Sequence, residues 1–138
     1  MSNQLPIVVS SFLAFLTEEC GLTIESQRTE SSAFDNTVIV FRRKELGVRV
    51  VRDRGEWSIQ IRSGQRSDDW YDAALLKEHI TRVESQDAVD FEEQAKFVRT
   101  SWNDIANMLT GPHSNETLAA LEQRSQEWTK RWLSKWKD

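Results

Sequence analysis

The stretch from Thr37 to Arg62 constrains the fold more than any other part of the chain, because it alone shows a clear period of two. It reads TVIVFRRKELGVRVVRDRGEWSIQIR, in which apolar and polar residues alternate as they do on strands with one buried face. Asp53 to Glu56 reads Asp-Arg-Gly-Glu and offers a glycine for the positive φ of a short hairpin turn. We therefore predict three consecutive strands in an antiparallel meander.

The alternation gives this predicted sheet two unlike faces. One face is expected to be buried and carries Leu46, Val48, Val50, Trp57, Ile59 and Ile61. The other face carries Arg49, Gln60 and Arg62, together with one of Arg42 and Arg43. This second face is polar, and we expect it to be open to solvent or to a partner.

Helical spacing dominates the rest of the chain. Apolar residues recur three and four positions apart from Leu5 to Cys20, from Asp69 to Arg82 and from Asp87 to Thr110, and a last helix begins at Ser114 or Asn115. Residues 22–26 could add a short strand. The predicted fold is α+β in a single domain of residues 1–138: an N-terminal helix, an antiparallel meander of three or four strands, and three C-terminal helices packed on one sheet face.

Length and composition limit where such a chain can work. A domain of 138 residues can bury a core without a disulfide or a metal, and the single Cys20 has no partner for an internal disulfide. The sequence shows no charged-then-apolar leader, which favours a cytoplasmic location. The longest apolar runs fall far short of the roughly 20 residues that a membrane helix needs, so no membrane partner is expected.

The net charge of −4 is unevenly spread along the chain. Residues 37–66 carry eight basic and three acidic residues, whereas residues 67–138 carry nine basic and fourteen acidic residues. A basic sheet can mark a nucleic-acid surface, or strands and helices can complement each other in charge. The second interpretation is favoured because the pI is about 5.3, whereas nucleic-acid-binding domains are usually strongly basic.

The sequence contains none of the common catalytic or metal-binding motifs, such as a Gly-rich phosphate loop, a Cys-x-x-Cys pair or His-Glu-x-x-His. His79 could act as a general base or metal ligand, but no second ligand accompanies it on its predicted helix, so a packing or surface role is favoured. Cys20 lacks a neighbouring base and is expected to be a structural thiol. We predict a protein that is not an enzyme and has no cofactor and no metal site.

Candidate partner-binding residues come from three patterns. The densest carboxylate group is Asp68, Asp69 and Asp72, followed by Glu92 and Glu93, and it is either a solvated helix start or an acidic recognition patch. The second pattern is the pair of arginines on the polar sheet face, Arg49 and Arg62. The third is the stripe Trp128, Trp132 and Trp136, which favours packing in the core, with Trp136 as a possible contact residue near the end.

A family resemblance adds a function to this outline. Phe34-Asp35-Asn36-x-x-Ile39-x-Phe41, the run from Val48 to Trp57 and Trp70-Tyr71-Asp72 resemble small bacterial proteins that include immunity proteins of polymorphic-toxin and contact-dependent inhibition systems. The resemblance covers roughly residues 10–82, and its most specific piece is the Arg-Asp-Arg-Gly hairpin. It implies a cytoplasmic, non-enzymatic protein that binds and neutralises a cognate toxin, and it carries over no site residue.

Two other functions fit the same sequence. A secretion-type chaperone or adaptor would bind an effector segment at a sheet edge or groove and would form a stable homodimer. A single-stranded nucleic-acid-binding module would use the sheet arginines and the tryptophan stripe, with salt-sensitive binding. The expected ligand is a protein, namely a toxin for an immunity protein or an effector for a chaperone or adaptor. Nucleic acid is the less favoured ligand.

Overall fold

The structure is a computed structural model that describes residues 5–29, 36–44, 46–63, 70–83 and 90–136, apart from the side chains of residues 132 and 134–136. Its elements are, in chain order, α1 (Ile7–Ala14), continued by a π-helical turn (Phe15–Glu19), β1 (Thr23–Thr29), β2 (Thr37–Arg43), β3 (Leu46–Asp53), β4 (Glu56–Ser63), β5 (Tyr71–Asp72), α2 (Ala73–Thr81), α3 (Phe91–Thr110) and α4 (Ser114–Trp136). The α+β class is confirmed, with an N-terminal helix, an antiparallel sheet and three C-terminal helices.

The five strands form one sheet in the order β1-β2-β3-β4-β5, and each strand is antiparallel to its neighbours. The predicted meander is therefore confirmed. It has five strands where three or four were predicted: β1 overlaps the short strand expected at residues 22–26, and β5 was not predicted. The seven residues of β1 lie at one edge and are all exposed, whereas β5 pairs only two residues with β4 at the other edge. Neither strand shows an alternating pattern in the sequence, because β1 has no buried face and β5 is too short.

The hairpin between β3 and β4 has the predicted two-residue turn. Asp53 pairs with Glu56, and the two residues between them, Arg54 and Gly55, have φ values of 54° and 85°. Positive φ at both central positions matches the right-handed twist of the flanking strands. Glycine adopts such a φ at no steric cost, whereas Arg54 does so under strain. The backbone N–H of Arg54 donates to Asn36 Oδ1 at 3.1 Å, which helps hold the turn.

The predicted start of the second helix at Asp69 is wrong. Tyr71 and Asp72 are extended and pair with Ile61 and Gln60, so α2 begins only at Ala73. Tyr71 and Asp72, which suggested a first helical turn, instead form a strand, because the exposed edge of β4 offers backbone groups that they can bond. Two such residues are too few for a period of two to be recognised.

The third predicted helix also begins later than expected, at Phe91 and not at Asp87. Asp90 has an extended backbone, and its Oδ1 accepts a hydrogen bond from the N–H of Glu93 at 2.9 Å, which is the usual N-cap geometry. The cap region predicted at Ser85 to Asp87 lies outside the described residues. The helix ends at Thr110 before Gly111, as predicted.

The core lies between the sheet and the helices, and the buried apolar residues form one cluster. We call the side of the sheet that carries Ile39, Phe41, Val48, Val50, Ile59 and Ile61 the core face. Helices α2 and α3 pack on this face, α4 packs mainly against α2 and α3, and α1 packs against α3. Phe12 of α1 meets Phe91 of α3 edge to face, with ring centroids 5.8 Å apart. Among the described residues, none of the helices has both the length and the apolar character that crossing a bilayer requires.

Candidate binding surface on the open sheet face

The side of the sheet opposite the core face, here called the open face, follows from strand geometry. Since successive residues of a strand point to opposite sides, each core residue alternates with an open-face residue. The open face carries Val38, Val40 and Arg42 on β2, Gly47, Arg49, Val51 and Asp53 on β3, Glu56, Ser58, Gln60 and Arg62 on β4, and Asp72 on β5. The described helices pack on the other side, so this face is free of them.

Trp70 lies on the open face between two arginines of neighbouring strands. The guanidinium carbons of Arg49 and Arg62 each lie 4.6 Å from the centroid of the Trp70 ring. A cation held at this distance from an indole is attracted by the negative face of its π-system. The ring reaches the sheet because Gly47, which pairs with Arg62, has no side chain to exclude it. The three side chains therefore form one half-buried cluster.

A row of polar side chains crosses the open face beside this cluster. Arg49 pairs with Gln60 and Gln60 pairs with Asp72 across three adjacent strands. Arg49 Nε donates to Gln60 Oε1, and Gln60 Nε2 donates to Asp72 Oδ1 at 3.4 Å. The amide of Gln60 thus links the guanidinium and the carboxylate and fixes the side-chain positions of both.

Partial burial opposes the charges at both ends of this row. Desolvation raises the pKa of the Asp72 carboxyl, and the hydrogen bond from Gln60 and the charge of Arg49 oppose that rise. Desolvation also lowers the pKa of Arg49; the nearby charge of Arg62 adds to this effect and Asp72 opposes it. Arg49 and Asp72, at the two ends of the row, are therefore a partly dehydrated charge pair. An incoming partner could supply polar groups in place of the water that these charges have lost.

The open face carries charges of both signs. Four arginines point to it, Arg28 of β1 together with Arg42, Arg49 and Arg62. Its carboxylates are Asp53, Glu56 and Asp72, together with Glu25, which lies 3.8 Å from Arg42 at the irregular point of the β1–β2 register. Asp53 and Glu56 lie at the β3–β4 turn, whereas Arg42, Arg49 and Arg62 lie towards the opposite end, around the cluster, where positive charge prevails among the described residues.

Three of the sequence-predicted site residues meet on this surface, namely Arg49, Arg62 and Asp72. Glu92 and Glu93 lie exposed in the first turn of α3, on the helical side of the protein, where Glu93 pairs with Lys77 at 3.9 Å. The described acidic residues of the first pattern, Asp72, Glu92 and Glu93, are therefore divided between two sides of the molecule. Asp68, Asp69 and the side chain of Trp136 lie outside what the structure describes.

Sequence reasoning missed Trp70, at the centre of the cluster, and the neighbouring Gly47 and Gln60 as site residues. One signal was available at Gly47, since a glycine inside a strand often marks a close approach by another group. The spacing of residues in the sequence does not indicate which group approaches Gly47. Trp70 reaches Gly47 only through the antiparallel pairing of β5 with β4.

The groups with the most obvious catalytic potential are engaged in the helical layer. Burial raises the pKa of the Cys20 thiol to about 11, with Glu19 adding to the shift and Arg43 opposing it. His79 Nδ1 accepts a hydrogen bond from Arg124 Nε at 3.0 Å, and burial, Arg124 and Arg82 lower its pKa. Both residues have the structural roles that the sequence favours. The described part of the chain brings no three His, Cys, Asp or Glu side chains together at metal-binding positions.

Glu78, next to His79, also contacts α4. Its carboxylate is 4% exposed and accepts hydrogen bonds from Arg131 Nη2 at 2.9 and 3.1 Å. Successive residues of a helix point in different directions, yet Glu78 and His79 both bond arginines of α4, which lie two turns apart. Because α4 packs against α2 over several turns, it meets a broad side of that helix.

Comparison with known proteins gave no match: no protein-family model, curated protein or solved structure is significantly similar to this chain.

Proposed function

We propose that this protein is a non-enzymatic bacterial immunity-type protein, which binds and neutralises a cognate toxin through the open face of its sheet. The observation that supports this proposal best is the cluster of Arg49, Trp70 and Arg62 on a side of the sheet that the described helices leave uncovered. Inhibition by binding needs no catalytic group, only a surface that complements the toxin in shape and charge.

The residue types of the cluster suit a protein interface. Tryptophan and arginine are enriched among the residues that dominate binding energy, especially near the centre of an interface. Here they are held in place before any partner arrives, Arg49 by its hydrogen bond to Gln60 and Trp70 by its contact with both arginines. Side chains that are already ordered lose less entropy on binding, which favours affinity.

The charge of the open face specifies the kind of partner surface. Around the cluster, Arg42, Arg49 and Arg62 outnumber Asp72 and Glu25, whereas Asp53 and Glu56 lie at the other end of the face, so an acidic patch on the toxin would be attracted and steered to the arginine end. Val38, Val40 and Val51 lie beside the arginines and are half-buried, which adds apolar area to the contact. An acidic protein surface is therefore the proposed ligand.

The decisive experiment uses the protein encoded by the neighbouring gene as the candidate toxin. Purified full-length chain should bind it in calorimetry, and co-expression should protect cells from it. The double variant Arg49→Glu/Arg62→Glu should weaken binding by at least about 100-fold, because repulsion replaces attraction at the centre of the interface. Lys77→Glu/Lys96→Glu makes the same charge change on the helical side and should bind like the wild type.

Two results would overturn the proposal. The first is an unmodified chain that neither binds the neighbouring protein nor protects cells from it. The second is an equal loss of binding in both double variants, which would move the contact away from the open face. Circular dichroism of each variant establishes beforehand that the fold is intact.

One observation favours a second candidate, a single-stranded nucleic-acid-binding module. Arg42, Arg49 and Arg62 share the open face with an indole, and bases stack on such rings above a basic surface. The protein ligand is preferred because the Trp70 ring is already in contact with two guanidinium groups. Retention of labelled single strands on filters at low salt, lost in Arg49→Glu/Arg62→Glu, would reverse this preference.

A further inference from the structure

A cleft lies on the core-face side of the sheet, between the β2–β3 turn and the C-terminal half of α3. This cleft has a volume of about 600 Å³. Small-molecule sites typically have volumes of about 300–1,000 Å³. Its lining includes Arg43, Lys44 and Leu46 from the sheet and Trp102, Asn103 and Asn107 from the helix. It is separate from the open face, because Arg43 and Arg42 are neighbours in β2 and point to opposite sides.

Two of the lining side chains are held in place by contacts outside the cleft. Arg43 Nη1 donates to the backbone carbonyl of Cys20 at 2.7 Å, which leaves the other guanidinium N–H groups for a ligand. Trp102 meets Phe15 edge to face, with ring centroids 6.4 Å apart and an interplanar angle of 86°. Contacts outside the cleft therefore fix the positions of both side chains.

The polar groups of the cleft are available for a ligand. The side-chain amides of Asn103 and Asn107, the indole N–H of Trp102 and the ammonium group of Lys44 have no hydrogen-bond partner among the described residues. Asn103 and Asn107 are four residues apart on α3, so their amides project from the same side of the helix. Each amide can both donate and accept a hydrogen bond.

The described lining of the cleft is positively charged. Arg43 and Lys44 are the charged residues in it, and none of the described lining residues is acidic. Leu46, which is buried, and the indole of Trp102 supply an apolar wall. This combination suits a ligand with a negatively charged group at one end and a flat body at the other.

We propose that this cleft binds a small organic anion that carries a flat, hydrogen-bonding or aromatic ring. Arg43 and Lys44 hold the anionic group, Trp102 contacts the ring, and Asn103 and Asn107 bond its edge or its polar substituents. Phosphate monoesters such as nucleotides and aromatic carboxylates both have this chemistry. The proposal does not depend on the toxin-binding function, since the two surfaces share no residue.

Calorimetric titration of the full-length chain with three probes tests the proposal: adenosine monophosphate, phenylacetate and uncharged adenosine. At least one of the two anions should bind saturably at a ratio of one to one, and which of them binds identifies the anionic group. Adenosine should bind at least about tenfold more weakly than the better anion, because it cannot pair with the cations.

Matched variants locate the binding. Lys44→Gln and Asn103→Asp should each weaken binding of the better anion by about tenfold or more, through loss of a cation and gain of a repelling carboxylate. Lys96→Gln and Gln123→Glu make the same charge changes at exposed positions outside the cleft and should leave binding unchanged. The proposal is overturned if neither anion binds, if adenosine binds as tightly as the better anion, or if the cleft variants bind like their controls.

Discussion

Gly47 lies directly beneath the indole of Trp70: a Cβ added at position 47 would lie 3.3 Å from Trp70 Cη2 and 3.4 Å from Arg62 Nε. This contact explains a glycine in the middle of a strand, where its conformational freedom is otherwise a disadvantage. The open-face cluster depends on it, because any side chain at this position occupies space that the ring uses.

Replacing Gly47 by valine is therefore expected to destabilise the protein by about 1–3 kcal/mol, although valine favours strands, because overpacking displaces Trp70 and Arg62. Urea denaturation gives the change in the free energy of unfolding, and near-UV circular dichroism reports the displaced indole. Ser58→Val is the matched control on the same face of β4, and it should change stability little. A Gly47→Val variant as stable as the wild type would contradict the close contact.

The buried ion pair between Glu78 and Arg131 should contribute more to stability than the exposed pair between Lys77 and Glu93. Arg131→Met leaves a buried carboxylate without this guanidinium and is expected to cost about 3 kcal/mol, whereas Lys77→Ala should cost under about 1 kcal/mol. Urea denaturation of both variants measures the difference.

The double variant Glu78→Leu/Arg131→Met separates the contribution of the ion pair to stability from that of side-chain packing. Since it leaves neither buried charge behind, it should be more stable than Arg131→Met alone. Equal stability of Arg131→Met and Lys77→Ala would show that the buried pair has no special role.

The lowered pKa of His79 predicts a dependence of stability on pH. In the folded state the imidazole resists protonation, whereas in the unfolded state it binds a proton near its ordinary pKa of 6.5. The free energy of unfolding contributed by this group is therefore fully present above pH 6.5 and is lost as the pH falls through the lowered folded-state value.

Urea denaturation between neutral and mildly acidic pH measures this loss. His79→Asn keeps an acceptor for Arg124 and should flatten the curve relative to that of the wild type. Asp72 acts with the opposite sign, because its raised pKa stabilises the folded state at acidic pH and that effect is lost as the pH rises. The free energy of unfolding of His79→Asn is therefore compared with that of the wild type at each pH. An unchanged slope in His79→Asn would count against the lowered pKa.

Cys20 should react slowly with thiol reagents in the folded protein. Burial leaves its side chain 2% exposed and is the main reason that its pKa is raised to about 11 from 9.0. Since the thiolate is the reactive form, this shift alone slows reaction at neutral pH by about 100-fold. The rate of labelling by a disulfide reagent, compared with that of the protein in denaturant, measures the effect, and similar rates in both states would contradict it.

The local sequence pattern was sufficient to predict those parts of the fold that depend on neighbouring residues. The period of two from Thr37 to Arg62 separates the core face from the open face, because a shift of one residue would bury the arginines and expose the valines and isoleucines. The Asp53–Glu56 turn follows from Gly55, which adopts a positive φ at no steric cost, and the end of α3 follows from Gly111-Pro112, since proline cannot continue a helix. The placement of Arg49 and Arg62 on one uncovered face is the part of the binding surface that followed from this pattern.

The remaining features depend on partners distant in the chain. Gln94 Oε1 of α3 accepts the N–H of Ile59 at 3.0 Å, just beyond the last residue of β4 that β5 pairs, and no local pattern in either segment predicts this bond. In the same way Trp70 meets Gly47, and Asp72 joins Arg49 through Gln60, only once β5 adds to the edge of the sheet. The sequence by itself determined the three central strands, their two faces and several helix ends, because steric and solvation preferences act on neighbouring residues. Only the tertiary structure decided which side chains meet, since such contacts depend on how the elements pack.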